Sequence, residues 1–242
     1  MKVLSLIQNS SKKLIAQLID PDKYEENRLT KQIENAKKAK VDFIFLGGSL
    51  ISNNGIAKSM AIIKSITDIP VIIFPGNVTH LHDDANAVLF LSLISGRNPD
   101  LLIGNHVHVA TTLKRKGIET IPTGYMLIES GKITSAQYMS NTIPIPREKP
   151  DIAIATAVAG ELLGLKAIYM DAGSGADKTI DENMINAVKS EIDIPLIIGG
   201  GIRNTETAIR IARAGADIIV IGNAAEENPE LIIDIATQIH TL

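Results

Sequence analysis

Eight short runs rich in Ile, Val and Leu, spread along the chain and separated by stretches of helical periodicity, constrain the fold more than any other feature. They are Leu14–Ile19, Phe43–Leu46, Val71–Phe74, Val88–Leu93, Glu119–Ile128, Ala167–Met170, Leu196–Ile198 and Ile218–Ile221. They show little polar alternation, which is how a strand reads when both of its faces are covered. Helical patterns at Tyr24–Lys40, Asn183–Ser190 and Thr205–Ala214 fill gaps between them, the last after Asn204, a good N-cap type. Strands and helices alternating in this way predict a closed (β/α)₈ barrel of the TIM type. The 242 residues are close to the roughly 250 typical of that fold. An open doubly wound sheet is the competing architecture. It wants a Gly-rich turn after the first strand, and here Pro21-Asp22-Lys23 follows Asp20. No linker or low-complexity segment interrupts the pattern, so one domain over residues 1–242 is expected. Asn98–Gly117, with Gly104 and Asn105 inside it, predicts an irregular segment between strands four and five. Ser140–Pro150, with three prolines, reads as a surface loop before a helix starting near Asp151.

Composition removes several function classes. The chain has no cysteine, which excludes thiol catalysis, thiolate metal sites and disulfide frameworks. Its net charge of −3 offers no basic patch of the kind that points to nucleic acid. Met1–Ser10 lacks the apolar core and cleavage site of a signal peptide. No window approaches the roughly 18 uninterrupted apolar residues of a transmembrane helix. A cytoplasmic location is the expectation, with any lipid met from solution or at a membrane surface.

In a parallel barrel the chemistry collects where strands end. Gly199-Gly200-Gly201-Ile202-Arg203 follows strand seven, and Gly222-Asn223-Ala224 follows strand eight. Glycines let backbone N–H groups approach an anion closely, and a following helix N-terminus adds partial positive charge. The pair of loops predicts a phosphate site and says almost nothing about the reaction. Asp171-Ala172-Gly173-Ser174-Gly175-Ala176 follows strand six. Asp171 reads equally as a carboxylate that orients or deprotonates a ligand hydroxyl and as a helix cap. Asp20 and Ser49 follow strands one and two. They are hard oxygen donors suited to Mg²⁺, although spacing alone favours an N-cap for Asp20 and a turn role for Ser49.

Other groups attract attention and carry less. His106-Val107-His108 lacks an evident third ligand nearby, and Asp83-Asp84 lacks the second acidic cluster of helical prenyltransferases and reads as a cap for a short helix. His80 and His82 read as surface loop residues, and Lys12-Lys13 and Lys37-Lys38 as solvated charge.

The ordered set of motifs resembles the geranylgeranylglyceryl phosphate and heptaprenylglyceryl phosphate synthases. It comprises Leu18-Ile19-Asp20-Pro21-Asp22-Lys23, Gly47-Gly48-Ser49, Phe74-Pro75-Gly76, Ile121-Pro122-Thr123-Gly124-Tyr125, Tyr169-Met170-Asp171-Ala172-Gly173-Ser174-Gly175, Ile198-Gly199-Gly200-Gly201-Ile202-Arg203 and Ile221-Gly222-Asn223. Leu18 is similar to the second of that family's two groups, since the other usually has Lys two positions before the aspartate.

The resemblance implies that Asp20 and Ser49 bind Mg²⁺. It also implies that Tyr169, Met170, Asp171, Ala172, Gly173, Ser174, Gly175, Gly200, Gly201, Gly222 and Asn223 hold sn-glycerol-1-phosphate. Many members have Glu where this chain has Asp171, so the carboxylate is displaced while its charge is kept. The implied activity joins a polyprenyl diphosphate, expected to be geranylgeranyl, to the C3 hydroxyl of sn-glycerol-1-phosphate as an ether, with Asp171 as catalytic residue. Tyr125 and the Asn98–Gly117 region are expected to line an apolar groove for the prenyl tail. A homodimer or homohexamer is implied as well. Two rivals share the phosphate loops: a sugar-phosphate isomerase or synthase, and a non-catalytic phosphate- or lipid-binding barrel.

Overall fold

A computed structural model describes residues 2–23, 25–51 and 55–242. The strands are β1 Leu14–Ile19, β2 Phe43–Gly48, β3 Val71–Pro75, β4 Ala87–Leu93, β5 Glu119–Leu127, β6 Ala167–Asp171, β7 Leu196–Gly199 and β8 Ile218–Ile221. Each pairs in parallel with the next, and β8 closes on β1 through Leu14 opposite Ile218 and Ala16 opposite Val220. The closed (β/α)₈ barrel read from the apolar runs is therefore the fold.

The helices are α1 Val3–Gln8, α2 Glu26–Ala39, α3 Gly55–Ile66, α4 Asn105–Lys116, α5 Ser135–Ser140, α6 Pro150–Leu162, α7 Glu182–Lys189, α8 Thr205–Ala214, α9 Asn223–Glu227 and α10 Leu231–Ile239. The Asn204 side chain accepts from Thr207 N–H at 2.8 Å and starts α8, as its residue type predicts. The helix read from Tyr24 begins at Glu26, and Tyr24 itself, like Met1, lies outside the described residues. Two departures concern the connections. The irregularity between β4 and β5 is a π-helical stretch, Asp100–Gly104, that runs straight into the regular helix α4. The connection without a helix is residues 76–86, between β3 and β4, so Asp83-Asp84 caps nothing helical. Asp83 instead forms an ion pair with Lys116.

Period-two alternation divides the core. Ala16, Phe45, Ile72, Leu89, Ile121, Tyr169, Ile197 and Val220 pack together inside the barrel. Ile168, Met170, Ile198 and Ile219 face the other way, against Met184, Ile211, Ile232 and Ile235 of the helical layer. α1 packs Val3 and Ile7 with the inner set. Lys2 supplies no side-chain cap to α1. The Glu119 carboxylate at the start of β5 accepts from Val3 N–H at 2.7 Å and Leu4 N–H at 3.0 Å in its place. With α1 joined to the end where β5 starts, functional side chains are left to the opposite mouth.

Candidate active site

Two cavities open at the C-terminal ends of the strands. One, of about 360 Å³, is walled by Asp20, Ser49, Asp171 and the glycine turns after β6, β7 and β8. The other, of about 330 Å³, runs between the β3–β4 connection and α4, lined by Leu89, Leu91, Leu93, Leu101, Val109 and Tyr125 among others. Gly48, Ser49, Leu50, Phe74 and Ala136 belong to both walls, so the polar mouth and the apolar groove meet there.

The polar mouth is shaped by turns that only glycine tolerates. Gly173 and Gly200 have φ of +90° and +86°. A Cβ on Gly200 would stand 2.6 Å from the Gly173 nitrogen, so the turns after β6 and β7 lie backbone against backbone. Gly201, at φ +71°, continues that turn, and Gly222 leads into α9. Ser174 Oγ donates to Asn223 Oδ1 at 3.1 Å and ties the β6 turn to the β8 turn. Lys132, ion-paired with Asp177 at 3.1 Å, reaches within 4.0 Å of where a Gly175 Cβ would be. Arg203 also lines this wall.

Asp171 ends β6 and projects into the mouth. Its Oδ2 accepts from the Tyr125 hydroxyl and its Oδ1 from Gly173 N–H at 2.7 Å. Burial pushes its carboxyl above the ordinary aspartate range, opposed by those two donors, Tyr125 first. The helix-cap alternative falls, since the next helix begins only at Glu182. Burial, and secondarily the Asp171 charge, also hold the Tyr125 and Tyr169 hydroxyls well above the usual tyrosine range, so both stay protonated. The Tyr125 ring meets Tyr169 at 5.5 Å and Phe74 at 5.8 Å between centroids, both edge-on. Phe74 and Tyr169 line the mouth, while Phe74 and Tyr125 line the groove. Tyr125 thus bonds the carboxylate in one cavity and lines the apolar groove of the other, and part of the Asn98–Gly117 region lines that groove with it.

Met170 and Ala172 do not line the mouth. Strand alternation turns both side chains into the helical layer. The run of seven residues read as one ligand set therefore contributes Tyr169, Asp171, Gly173, Ser174 and Gly175 to the cavity wall.

Asp20 Oδ1 accepts from Asp22 N–H at 3.0 Å, which caps the 3₁₀ turn Pro21–Lys23. A Cβ on Gly48 would lie 3.6 Å from the same oxygen, so the carboxylate rests against the strand end that carries Ser49. Burial foremost raises the Asp20 carboxyl above its ordinary value. A carboxylate and a hydroxyl on one cavity wall fit Mg²⁺, which takes one or two carboxylates and completes its shell with water and substrate phosphate. Among the described residues no three of His, Cys, Asp and Glu gather, so the mouth offers no metal cage made by such side chains alone.

Sequence reasoning missed several residues here. Lys23 Nζ lies 2.6 Å from Glu226 Oε2 and 3.3 Å from Asn223 Oδ1, contacts some 200 residues apart that no local pattern signals. His80 is 4% exposed rather than a surface residue. Its Nδ1 accepts from Gly76 N–H at 3.2 Å, and burial lowers its pKa. His106 lies edge-on to Phe90, with ring centroids 4.3 Å apart, in the wall of the apolar groove. Its neighbour His108 has no part in that wall.

Comparison with known proteins brings the arrangement into a family. Residues 8–239 match the model of the PcrB family. A geranylgeranylglyceryl phosphate synthase of Chitinophaga pinensis is 50% identical over 228 residues, covering 94% of this chain and 90% of that one. The structure of wild-type GGGPS from Thermoplasma volcanium superposes with a TM-score of 0.93 at 35% identity, covering 100% of this chain and 99% of that one. The (S)-3-O-geranylgeranylglyceryl phosphate synthase of Thermoplasma acidophilum, solved in complex with substrate sn-glycerol-1-phosphate, superposes with a TM-score of 0.94 at 33% identity over the whole of both chains.

Proposed function

The chain belongs to the PcrB family, and from that premise we propose that it is a prenyltransferase that joins a geranylgeranyl group from its diphosphate to sn-glycerol-1-phosphate. The observation that carries the reading is a polar mouth with paired glycine turns opening beside an apolar groove, with Asp171 and Tyr125 at the junction. One substrate is an anion with a hydroxyl and the other an anion with a long hydrocarbon tail. A mouth and a groove that share a wall suit that pair.

In this reading the turns at Gly200-Gly201 and Gly222-Asn223, with Gly173 to Gly175, hold the glycerol phosphate. The C3 hydroxyl faces Asp171. Asp20 and Ser49 hold Mg²⁺, which when bound neutralises diphosphate charge and makes it a better leaving group. The bond from the allylic carbon to diphosphate breaks, the glycerol oxygen forms the ether bond, and its proton passes to the Asp171 carboxylate. Tyr125 keeps that carboxylate ionised and aimed, while Leu89, Leu93 and Val109 shield the tail from water. Holding both partners in place removes a large part of the entropic barrier. As the family resemblance implies, the chain assembles as a homo-oligomer, a dimer or a hexamer.

Incubating the pure protein with radiolabelled sn-glycerol-1-phosphate and prenyl diphosphates of several lengths tests the activity. A labelled ether lipid that requires both substrates is expected. No product with any diphosphate, from folded protein supplied with Mg²⁺, refutes it.

A further inference from the structure

We infer that Lys23 is a positioning residue that fixes which way the Asn223 side-chain amide faces, and thereby aims its donor edge into the phosphate cradle. This deepens the proposed function, because the cradle is the one assigned there to the glycerol phosphate.

Asn223 Oδ1 accepts from two groups, Ser174 Oγ at 3.1 Å and Lys23 Nζ at 3.3 Å. Its Nδ2 is turned the other way, 3.8 Å from where a Cβ on Gly175 would stand, on the cavity side. An asparagine amide can rotate by half a turn and exchange its donor and acceptor edges at almost no steric cost, so its neighbours decide the orientation. The two neighbours are not equivalent. A serine hydroxyl donates or accepts, so Ser174 could bond either edge of the amide. A lysine ammonium only donates. Rotating the amide would set its NH₂ against the Lys23 ammonium and aim its carbonyl oxygen at an incoming phosphate. Lys23 alone excludes that state.

Lys23 is itself held. Its Nζ lies 2.6 Å from Glu226 Oε2, a side chain only 9% exposed, and 3.9 Å from Asp20 Oδ2. Glu226 stands three residues after Asn223 on α9, and its backbone carbonyl accepts from Arg28 at 2.6 Å. The lysine therefore bridges the carboxylate at the end of β1 and the amide at the end of β8.

Affinity for sn-glycerol-1-phosphate, measured by calorimetry on the full chain without prenyl diphosphate, tests the idea. Lys23→Met should weaken binding by about five- to tenfold, the worth of one oriented hydrogen bond, with little change in kcat at saturating glycerol phosphate. Lys23→Arg, which also only donates, should restore most of it. Lys23→Gln, which can accept as well as donate, should not. Lys23→Met combined with Glu226→Gln removes the carboxylate left unpaired and keeps the test valid should the single variant fold poorly. In an Asn223→Ala background, Lys23→Met should cost nothing further, because there is no amide left to orient. Equal losses with and without Asn223 mean that Lys23 acts on the anion by its charge alone and overturn the inference, as does unaltered affinity in Lys23→Met. Wild-type protein that is folded yet binds neither sn-glycerol-1-phosphate nor inorganic phosphate overturns the functional reading instead.

Discussion

Tyr125→Phe removes one hydroxyl and leaves the ring that packs on Phe74 and Tyr169. It should therefore alter the electrostatics of Asp171 while sparing the groove. In the wild type two donors hold the Asp171 carboxylate, the Tyr125 hydroxyl and Gly173 N–H. Both favour the ionised form against the burial that disfavours it. A hydrogen bond to a charged group contributes about 1.5–3 kcal/mol net. At about 1.4 kcal/mol per pKa unit, losing the Tyr125 donor should raise the Asp171 pKa by roughly 1–2 units. A base must be ionised to take a proton, so the acid limb of kcat/KM should move to higher pH by that amount. Stability follows the same sign. A folded-state pKa raised above the unfolded value gives stability that is present at low pH and lost as pH rises through the folded pKa. Tyr125→Phe enlarges that loss, so its melting temperature should fall further below the wild type at neutral pH than in acid. The assay is a pH profile of kcat/KM for sn-glycerol-1-phosphate at saturating geranylgeranyl diphosphate, with thermal melts in the same buffers. An acid limb that stays put, or moves to lower pH, refutes the linkage between Tyr125 and Asp171. A shift that persists in an Asp171→Asn background refutes the assignment of the limb to Asp171.

Three further outcomes follow from the same geometry. Asp171→Asn can keep its oxygen on Gly173 N–H and turn its NH₂ to the Tyr125 oxygen, so glycerol phosphate should still bind while kcat falls by about 10²–10⁴-fold if general-base catalysis is its whole role; an unchanged kcat removes Asp171 from the chemistry. Asp20→Asn should abolish the Mg²⁺ requirement together with most of the turnover, yet leave the melting temperature at neutral pH level with the wild type or above it, because burial raises the Asp20 carboxyl and the amide carries no such charge; full turnover in this variant, or in wild type with excess chelator, defeats the metal assignment. Gly200→Ala forces a side chain into a φ of +86° and against the Gly173 nitrogen, which should cost about 1–3 kcal/mol in stability and eliminate measurable phosphate binding; an alanine variant that binds phosphate normally shows that the turn is not the cradle.

The barrel was legible because its strands are covered on both faces, so each stands out as an apolar run whose end marks a functional loop. The bounds of β1 and β8 coincide with the runs read from sequence. The connection lacking a helix was not legible. Gly104 and Asn105 look like helix breakers, yet both adopt right-handed helical backbone where the π stretch meets α4. Asp171, Gly200, Gly201, Gly222 and Asn223 were legible as residues that follow strands. The turn of the Met170 and Ala172 side chains toward the helical layer was legible too, because period two sends alternate residues of β6 away from the mouth. Lys23 with Glu226 was not, since only barrel closure brings β1 beside β8.

That closure bears on how one mouth can hold two anions. Asp20 and Asn223 sit at the ends of neighbouring strands, β1 and β8, assigned to the diphosphate side and the glycerol phosphate side respectively. Two anions drawn that close repel, and low dielectric in a closed mouth strengthens the repulsion. The Lys23 ammonium lies between the two positions, 3.9 Å from the Asp20 carboxylate and 3.3 Å from the Asn223 amide oxygen. Its counter-ion Glu226 is turned away from solvent. With Glu226 and Asp20 balancing its charge, the ammonium serves the glycerol phosphate side as a donor-only group that keeps the Asn223 acceptor edge, and the negative partial charge on it, away from phosphate. Apolar walls take over only past the shared wall at Gly48, Ser49 and Phe74. Charge is thus concentrated where the two phosphate groups must meet, and the groove beyond is left to hydrocarbon.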